Sequence, residues 1–226
     1  MDVAKTKLMV VSRKEVIDDC IYIAGQKLER VRKYKYLGTW LNETWDSDQE
    51  VKTRIEIARN AFEKLRKIFC SRSLKISLRI RLLKCYIWSI LLYGCEAWTI
   101  KENLRKGIEA FEIWAYRRML AISWTHKVSN EEVLRRVNQK RELLQTIKMR
   151  KVSYLGHVFR HDRYELLQLI LMGKVPGKKS VGRRNEQKER CVLRNIREWT
   201  GVTSATQLFR LARDKIKYGE LIANLR

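Results

Sequence analysis

The sequence predicts a mainly helical fold with a small antiparallel β-sheet at its N-terminus, an α+β architecture. Three observations carry this. Pro176 is the one proline in 226 residues, and a chain almost without proline can sustain long helices. Residues 1–42 hold short apolar runs separated by polar or glycine positions, as strands do. From Ser47 onward, apolar residues recur every three or four positions, the helical period.

The elements follow in order. Residues 7–12 (KLMVVS) and 20–24 (CIYIA) read as strands. Gly25-Gln26 is a turn, 27–31 alternates, and 34–41 carries Tyr, Leu, Thr and Trp around Gly38. Ser47 and Glu50 have capping-box spacing, in which each side chain takes the other's backbone N–H. Val51, Ile55, Ala58, Phe62, Leu65 and Phe69 then form one stripe along a helix of about six turns. Lys52, Arg54, Arg59, Lys64, Arg66 and Lys67 occupy its other faces. A second helix is expected over 75–93, apolar nearly all round and so buried on several sides. A third spans about 102–122, with Leu104, Ile108, Phe111, Ala115 and Met119 inward. Ser129 and Glu132 form another capping box that opens a short helix to Val137, and 142–155 is a further helix, ended near Gly156. Residues 173–182 (GKVPGKKSVG), with the following Arg183 and Arg184, read as a linker closing at 186. Helices are expected over 187–199 and 205–225, with Thr203 or Ser204 as an N-cap.

Charge narrows the function. The net charge is +24, against a magnitude of about 2–8 that suffices to keep a small domain soluble. It is concentrated in two stretches. Residues 52–84 hold 11 basic and 2 acidic side chains, and residues 140–226 hold 21 and 8. Such a field gathers polyanions and repels itself without one, so nucleic acid is the expected partner. The outer-face cations Lys52, Arg59, Arg66 and Lys67, with Arg79 and Arg81 beyond, are candidate phosphate contacts, as are Lys174, Lys178, Lys179, Arg183 and Arg184 of the linker. No strongly apolar face opposes these cations, so a membrane surface is not expected. The run 85–95 is too short for a membrane span. The first eleven residues carry Asp2, Lys5 and Lys7 and do not read as a secretory leader. Five widely spaced cysteines, with no C-x-x-C pair, fit a reducing, nuclear or cytoplasmic compartment.

Chemistry-bearing constellations are weak. His157 and His161 are four apart, but a polar turn is favoured over a metal site. Asp18-Asp19 is the one Asp-Asp step and reads as a solvated turn rather than a two-metal site. No catalytic residue and no metal site is assigned. Seven tryptophans and nine tyrosines fall mostly in apolar stretches. Trp98 and Tyr34 have the polar neighbours expected of an exposed ring that could stack on a base.

Several motifs together resemble the reverse transcriptase of a non-LTR (LINE-type) retrotransposon. They are Lys5-Thr-Lys-Leu-Met-Val-Val, Lys35-Tyr-Leu-Gly38, Ile90-Leu-Leu-Tyr-Gly-Cys-Glu-Ala-Trp98 and Tyr116-Arg-Arg-Met-Leu120. Ser129-Asn-Glu-Glu-Val-Leu134, Leu155-Gly-His-Val-Phe-Arg160 and Gly182-Arg-Arg184 continue the series. The resemblance implies a palm remnant with a primer-grip-like hairpin at 1–45, a thumb-like helical domain at 46–125 and a basic C-terminal helical region at 126–226. It implies that Tyr36, Leu37 and Gly38 position a primer end and that Lys5 lies near the incoming nucleotide. The family polymerises DNA on an RNA template with Mg²⁺ held by palm aspartates. This sequence shows no such box, since Asp18-Asp19 follows the Lys5 motif instead of preceding it, and residues 185–191 depart from the family pattern, which commonly places a tryptophan after Gly-Arg-Arg.

The expectation is a nucleic-acid-binding C-terminal portion of an RNA-directed DNA polymerase, without a cofactor of its own. RNA, DNA or their hybrid are the expected partners, together with the palm and fingers of a longer polymerase. Two other readings stay open: a reused RNA- or DNA-binding module, and a decayed reading frame without function. The purified chain, given Mg²⁺, nucleotides and a primer–template, is expected to add no nucleotide. Primer extension on a sequencing gel would overturn that.

Overall fold

A computed structural model describes residues 6–11, 21–23, 25–44, 47–123, 125–172 and 187–225, with side chains from 193 in the last stretch. The chain divides into two compact units, Met1–Thr53 and Arg54–Arg226. Among the described residues the fold is mainly helical with short N-terminal strands, as the sequence predicts.

In the first unit the strands pair differently from the single antiparallel sheet expected. They form three two-stranded ladders. β1 (Lys7–Leu8) pairs in parallel with β4 (Glu29–Arg30), while β2 (Tyr22–Ile23) pairs antiparallel with β3 (Gln26–Lys27). β5 (Lys33–Tyr36) and β6 (Thr39–Asn42) make a hairpin. The physical reason is the polar content of these strands. Lys27, Glu29 and Arg30 stay in water, and Leu28 between them is the one buried residue of the run. Lys7 and Glu29 form an ion pair across the parallel ladder.

α1 (Asp48–Lys64) opens with Asp48 and Glu50 in its first turn, where the helix dipole favours anions. Glu50 accepts the backbone N–H of Trp40 at 2.8 Å. The expected six-turn helix stops at Lys64. Leu65 leaves helical geometry (φ −98°, ψ 13°) and α2 (Arg66–Phe69) follows. Seven residues of continuous helix would separate Phe62 from Phe69 by about 10 Å of rise. The break lets their rings stack with centroids 4.8 Å apart.

The expected helix over 75–93 is α3 (Ile76–Leu82), a π-helical turn Leu83–Ile87, and α4 (Trp88–Leu91). Ile80, Leu83, Ile87, Trp88 and Leu91 are buried on its several faces. A 3₁₀ turn, Cys95–Ala97, leads to α5 (Glu102–Met119), which buries all five residues expected to face inward. α6 (Asn130–Val137) begins where the second capping box places it, with the Ser129 hydroxyl accepting the Glu132 N–H at 3.2 Å.

α7 (Leu143–Arg160) is the spine of the second unit. It packs on α5, on the Cys95–Ala97 turn, and on α8 (Glu165–Met172), α9 (Gln187–Thr200), α10 (Ala205–Arg213) and α11 (Lys215–Ala223). The sequence ends this helix near Gly156, but it runs through to Arg160. Gly156 is there for room. A Cβ at this position would lie 2.2 Å from Cε1 of Tyr218, whose ring rests on the helix backbone. The Tyr218 hydroxyl donates to the Val152 carbonyl at 2.8 Å. The single closing helix expected over 205–225 is split at Asp214, which caps α11 by accepting the N–H groups of Ile216 and Lys217. Ser204 caps α10 by accepting the Gln207 N–H.

Gly156→Ala is therefore expected to destabilise the chain by about 1–3 kcal/mol, as overpacking of a tight contact does. Combining it with Tyr218→Leu should cost less than the sum of the two single changes. Urea midpoints of the four proteins check this.

Candidate nucleic-acid interface

Between Glu63 and Glu96 the chain has no acidic residue. Lys64 and α2 residues Arg66 and Lys67, then Arg72 and Lys75 in the connecting loop and Arg81 on α3, are all exposed. Among the described residues none of these six side chains makes an ion pair. The contrast with α5 and α6 is direct. There Arg105 pairs with Glu102 and Glu109, Arg141 with Glu109, and Arg135 and Arg136 with Glu132. Such a run leaves a concentrated positive field on the surface of the second unit.

Not every cation expected on this surface is there. Arg79 is buried, and its guanidinium Nη1 donates to the carbonyls of Phe69 (3.0 Å) and Met119 (2.8 Å). These are the last residues of α2 and α5, whose terminal carbonyls lack partners within their helices and carry the negative end of the dipole. Arg79 is a clamp, not a phosphate contact. Arg54 is buried as well, over the Tyr93 ring at 4.5 Å. Arg59 is half-buried, 5.3 Å from the Trp114 ring centroid. Arg66, Lys67 and Arg81 face water, and so does Lys52 in the first unit. Arg72 and Lys75, in the loop, complete the run and were not singled out from the sequence; the signal was the absence of acids around them.

In the first unit, Tyr36, Leu37 and Gly38 form the tip of the β5–β6 hairpin. Tyr36 pairs with Thr39, so Leu37 and Gly38 alone make the turn. Both have positive φ, +47° and +82°, the type I′ geometry that suits a twisted hairpin. Glycine enters it freely, whereas leucine does so at about 1–2 kcal/mol. Leu37 is nonetheless 74% exposed and Tyr36 58%. The pairing puts Lys33, Lys35 and Trp40 on one face and Tyr34, Tyr36 and Leu41 on the other. The Lys33 ammonium lies 5.5 Å from the Trp40 ring. Lys5, Asp18 and Asp19, and Lys174, Lys178, Lys179, Arg183 and Arg184 in the 173–186 linker, lie outside the described residues.

Trp98, expected to be exposed, is buried. Tyr34 is exposed. The His157 and His161 rings are 4.3 Å apart, and His157 is held below its usual pKa by desolvation and by the neighbouring His161, Arg163 and Arg160. Among the described residues there is no cluster of three or more His, Cys, Asp or Glu that could hold a metal. Burial pushes the Cys95 thiol up to about 12 and the Lys151 ammonium down to about 8. Lys151 donates to the carbonyls of Glu96 (2.8 Å) and Trp98. Buried Glu112, its pKa raised by desolvation, accepts the N–H groups of Glu142 (3.0 Å) and Leu143 (3.2 Å) at the start of α7. Lys151 and Glu112 are thus spent on backbone at the ends of helical segments. No described helix is long and apolar enough to cross a membrane.

Comparison with known proteins gives a similarity to a protein derived from a transposon. That relative is an uncharacterized transposon-derived protein of Caenorhabditis elegans, 29% identical over 137 residues, which cover 59% of this chain and 49% of the relative. The matched part of the chain thus spans about half the relative's length. No protein-family model matches the chain, and no solved structure matches it.

Replacing Arg79 by leucine is expected to cost roughly 1–3 kcal/mol for each carbonyl left bare. Replacing Arg66 or Arg72 by alanine should stay within about 0.5 kcal/mol, as exposed positions do. Denaturant midpoints separate the clamp from the surface cations.

Proposed function

We propose that this chain is a nucleic-acid-binding part of a transposable-element protein, descended from the reverse transcriptase of a non-LTR retrotransposon. Its activity is binding, and RNA, DNA or an RNA–DNA hybrid is the ligand. The observation that carries this reading is the acid-free run of exposed, unpaired cations from Lys64 to Arg81, fastened to the core by Arg79. The β5–β6 hairpin supports it, because a strained turn with an exposed tyrosine and leucine at its tip suits contact with a primer end. The similarity to a transposon-derived protein supports the same origin. Mg²⁺ chemistry belongs to the palm and fingers of the polymerase that the motifs resemble, and those parts are the proposed partners within a longer protein.

Binding through phosphates releases counterions, so log K should fall linearly with log salt by about 0.9 per phosphate neutralised on duplex DNA. Replacing Arg66, Lys67 and Arg72 by glutamine should flatten that slope by up to about 3 and weaken binding at low salt. Fluorescence anisotropy from 50 to 300 mM salt reads both. A wild-type slope near zero would overturn the proposal.

A further inference from the structure

The second unit holds a groove that the cationic run does not use. It lies along the exposed face of α7 and has a volume of about 800 Å³. Ala97 on the 3₁₀ turn, Met149 on α7 and Ile222 on α11 supply apolar lining, with Arg150, Tyr154 and His157 along the helix. Arg150, Tyr154, His157 and His161 are spaced four, three and four apart, so they form one stripe along α7 and onto its C-cap. Tyr154 is 46% exposed. Beyond it the His157 ring meets His161 at 4.3 Å and Tyr164 at 5.8 Å, and Arg163 lies 4.6 Å from the Tyr164 ring. The flat rings thus form one run with a cation at each end, Arg150 and Arg163.

The groove's wall is fixed. Lys151, about a quarter-turn round α7 from the stripe, donates to the Glu96 and Trp98 carbonyls, which anchors the 3₁₀ turn. At the other end Gln168 donates to the Val158 and His161 carbonyls, which holds the last turn of α7 in place.

We infer that this groove binds single-stranded nucleic acid, with unpaired bases stacked on Tyr154 and His157 and phosphates held by Arg150 and Arg163. The inference deepens the nucleic-acid reading above and rests on it. Three features select this occupant. The volume fits a ligand of nucleotide size. Tyr154 is exposed and His157 half-buried along the groove, and both rings are flat, the usual sequence-tolerant partners of unpaired bases. A duplex presents its bases stacked inward, so it offers its phosphates to cations and no base face to a tyrosine on a helix. A peptide partner fits less well, because the groove is apolar within and cationic at its rim, with Glu96 as its one acidic lining residue.

The test measures anisotropy of labelled 12-mers of uridine and of thymidine, beside a duplex hairpin with a similar number of phosphates, at one salt concentration. Both oligomers are used because unpaired bases and phosphates are chemistry they share. Tyr154→Ala, checked for folding by circular dichroism and its melting midpoint, should weaken single-strand binding roughly five- to hundredfold, the range of one lost base stack. It should leave duplex binding unchanged. Tyr154→Trp should retain single-strand affinity, which separates stacking from the phenol hydroxyl. Single-strand affinity unmoved by Tyr154→Ala, or single-strand and duplex affinity lowered equally, would overturn the groove assignment while the cationic reading stands. A wild-type chain that binds neither ligand would sink both, and the salt series above would already have shown it.

Discussion

Short helices put their ends inside the second unit, and each buried end needs a partner from somewhere else in the chain. The last carbonyls and first N–H groups of a helix have no partner within it. Left bare in the core, each costs about 1–3 kcal/mol. Long polar side chains meet this demand here. Arg79 reaches two carbonyl ends at once, those of α2 and α5. Glu112 receives the first N–H groups of α7, Lys151 takes the carbonyls around the Cys95–Ala97 turn, and Gln168 closes the far end of α7. Asn195 on α9 donates to the Ile100 carbonyl just before α5. Among the described residues these are the buried polar residues of the second unit, apart from Arg54, and each is spent on backbone.

The same contacts connect the unit in series. Arg79 joins α3 to α2 and α5, Glu112 joins α5 to α7, Lys151 joins α7 to the 3₁₀ turn, and Tyr218 seated on Gly156 joins α7 to α11. The cationic run and the α7 groove therefore stand on elements whose ends are tied down. Such fixing lowers the ordering cost of binding a charged polymer, because the cations need not be collected from mobile segments.

Periodicity made the fold class legible. An apolar stripe at three- and four-residue spacing is a local property, and α1, α5 and the capped start of α6 follow from it. What escaped the sequence depends on distant partners. The break at Leu65 serves a ring stack, Gly156 makes way for a tyrosine 62 residues further on, and the parallel β1–β4 ladder pairs residues more than twenty apart. Nothing near these positions announces the partner. The cationic surface was legible as residues 52–84, with 11 basic and 2 acidic side chains, but not residue by residue. Arg79 and Arg81 are two apart on α3 and so point to nearly opposite sides, one into the core and one into water. Periodicity alone gave no sign that a guanidinium would be the side chain turned inward.

The placement of charge, more than its total, decides the functional reading. Along α5 and α6 and the loop after them, Arg105, Arg135, Arg136 and Arg141 have carboxylate partners on the same surface. From Lys64 to Arg81 no carboxylate is available, and the folded state itself crowds six cations onto α2 and its neighbours. Within a Debye length of about 8–10 Å such charges repel, so the fold carries that repulsion as a standing penalty. Buried Arg79 holds the segment closed against it. A bound polyanion would remove the penalty, and by mass action its binding would stabilise the fold. A surface kept only for solubility would gain by interspersing acids, as α5 and α6 do, and this one has none.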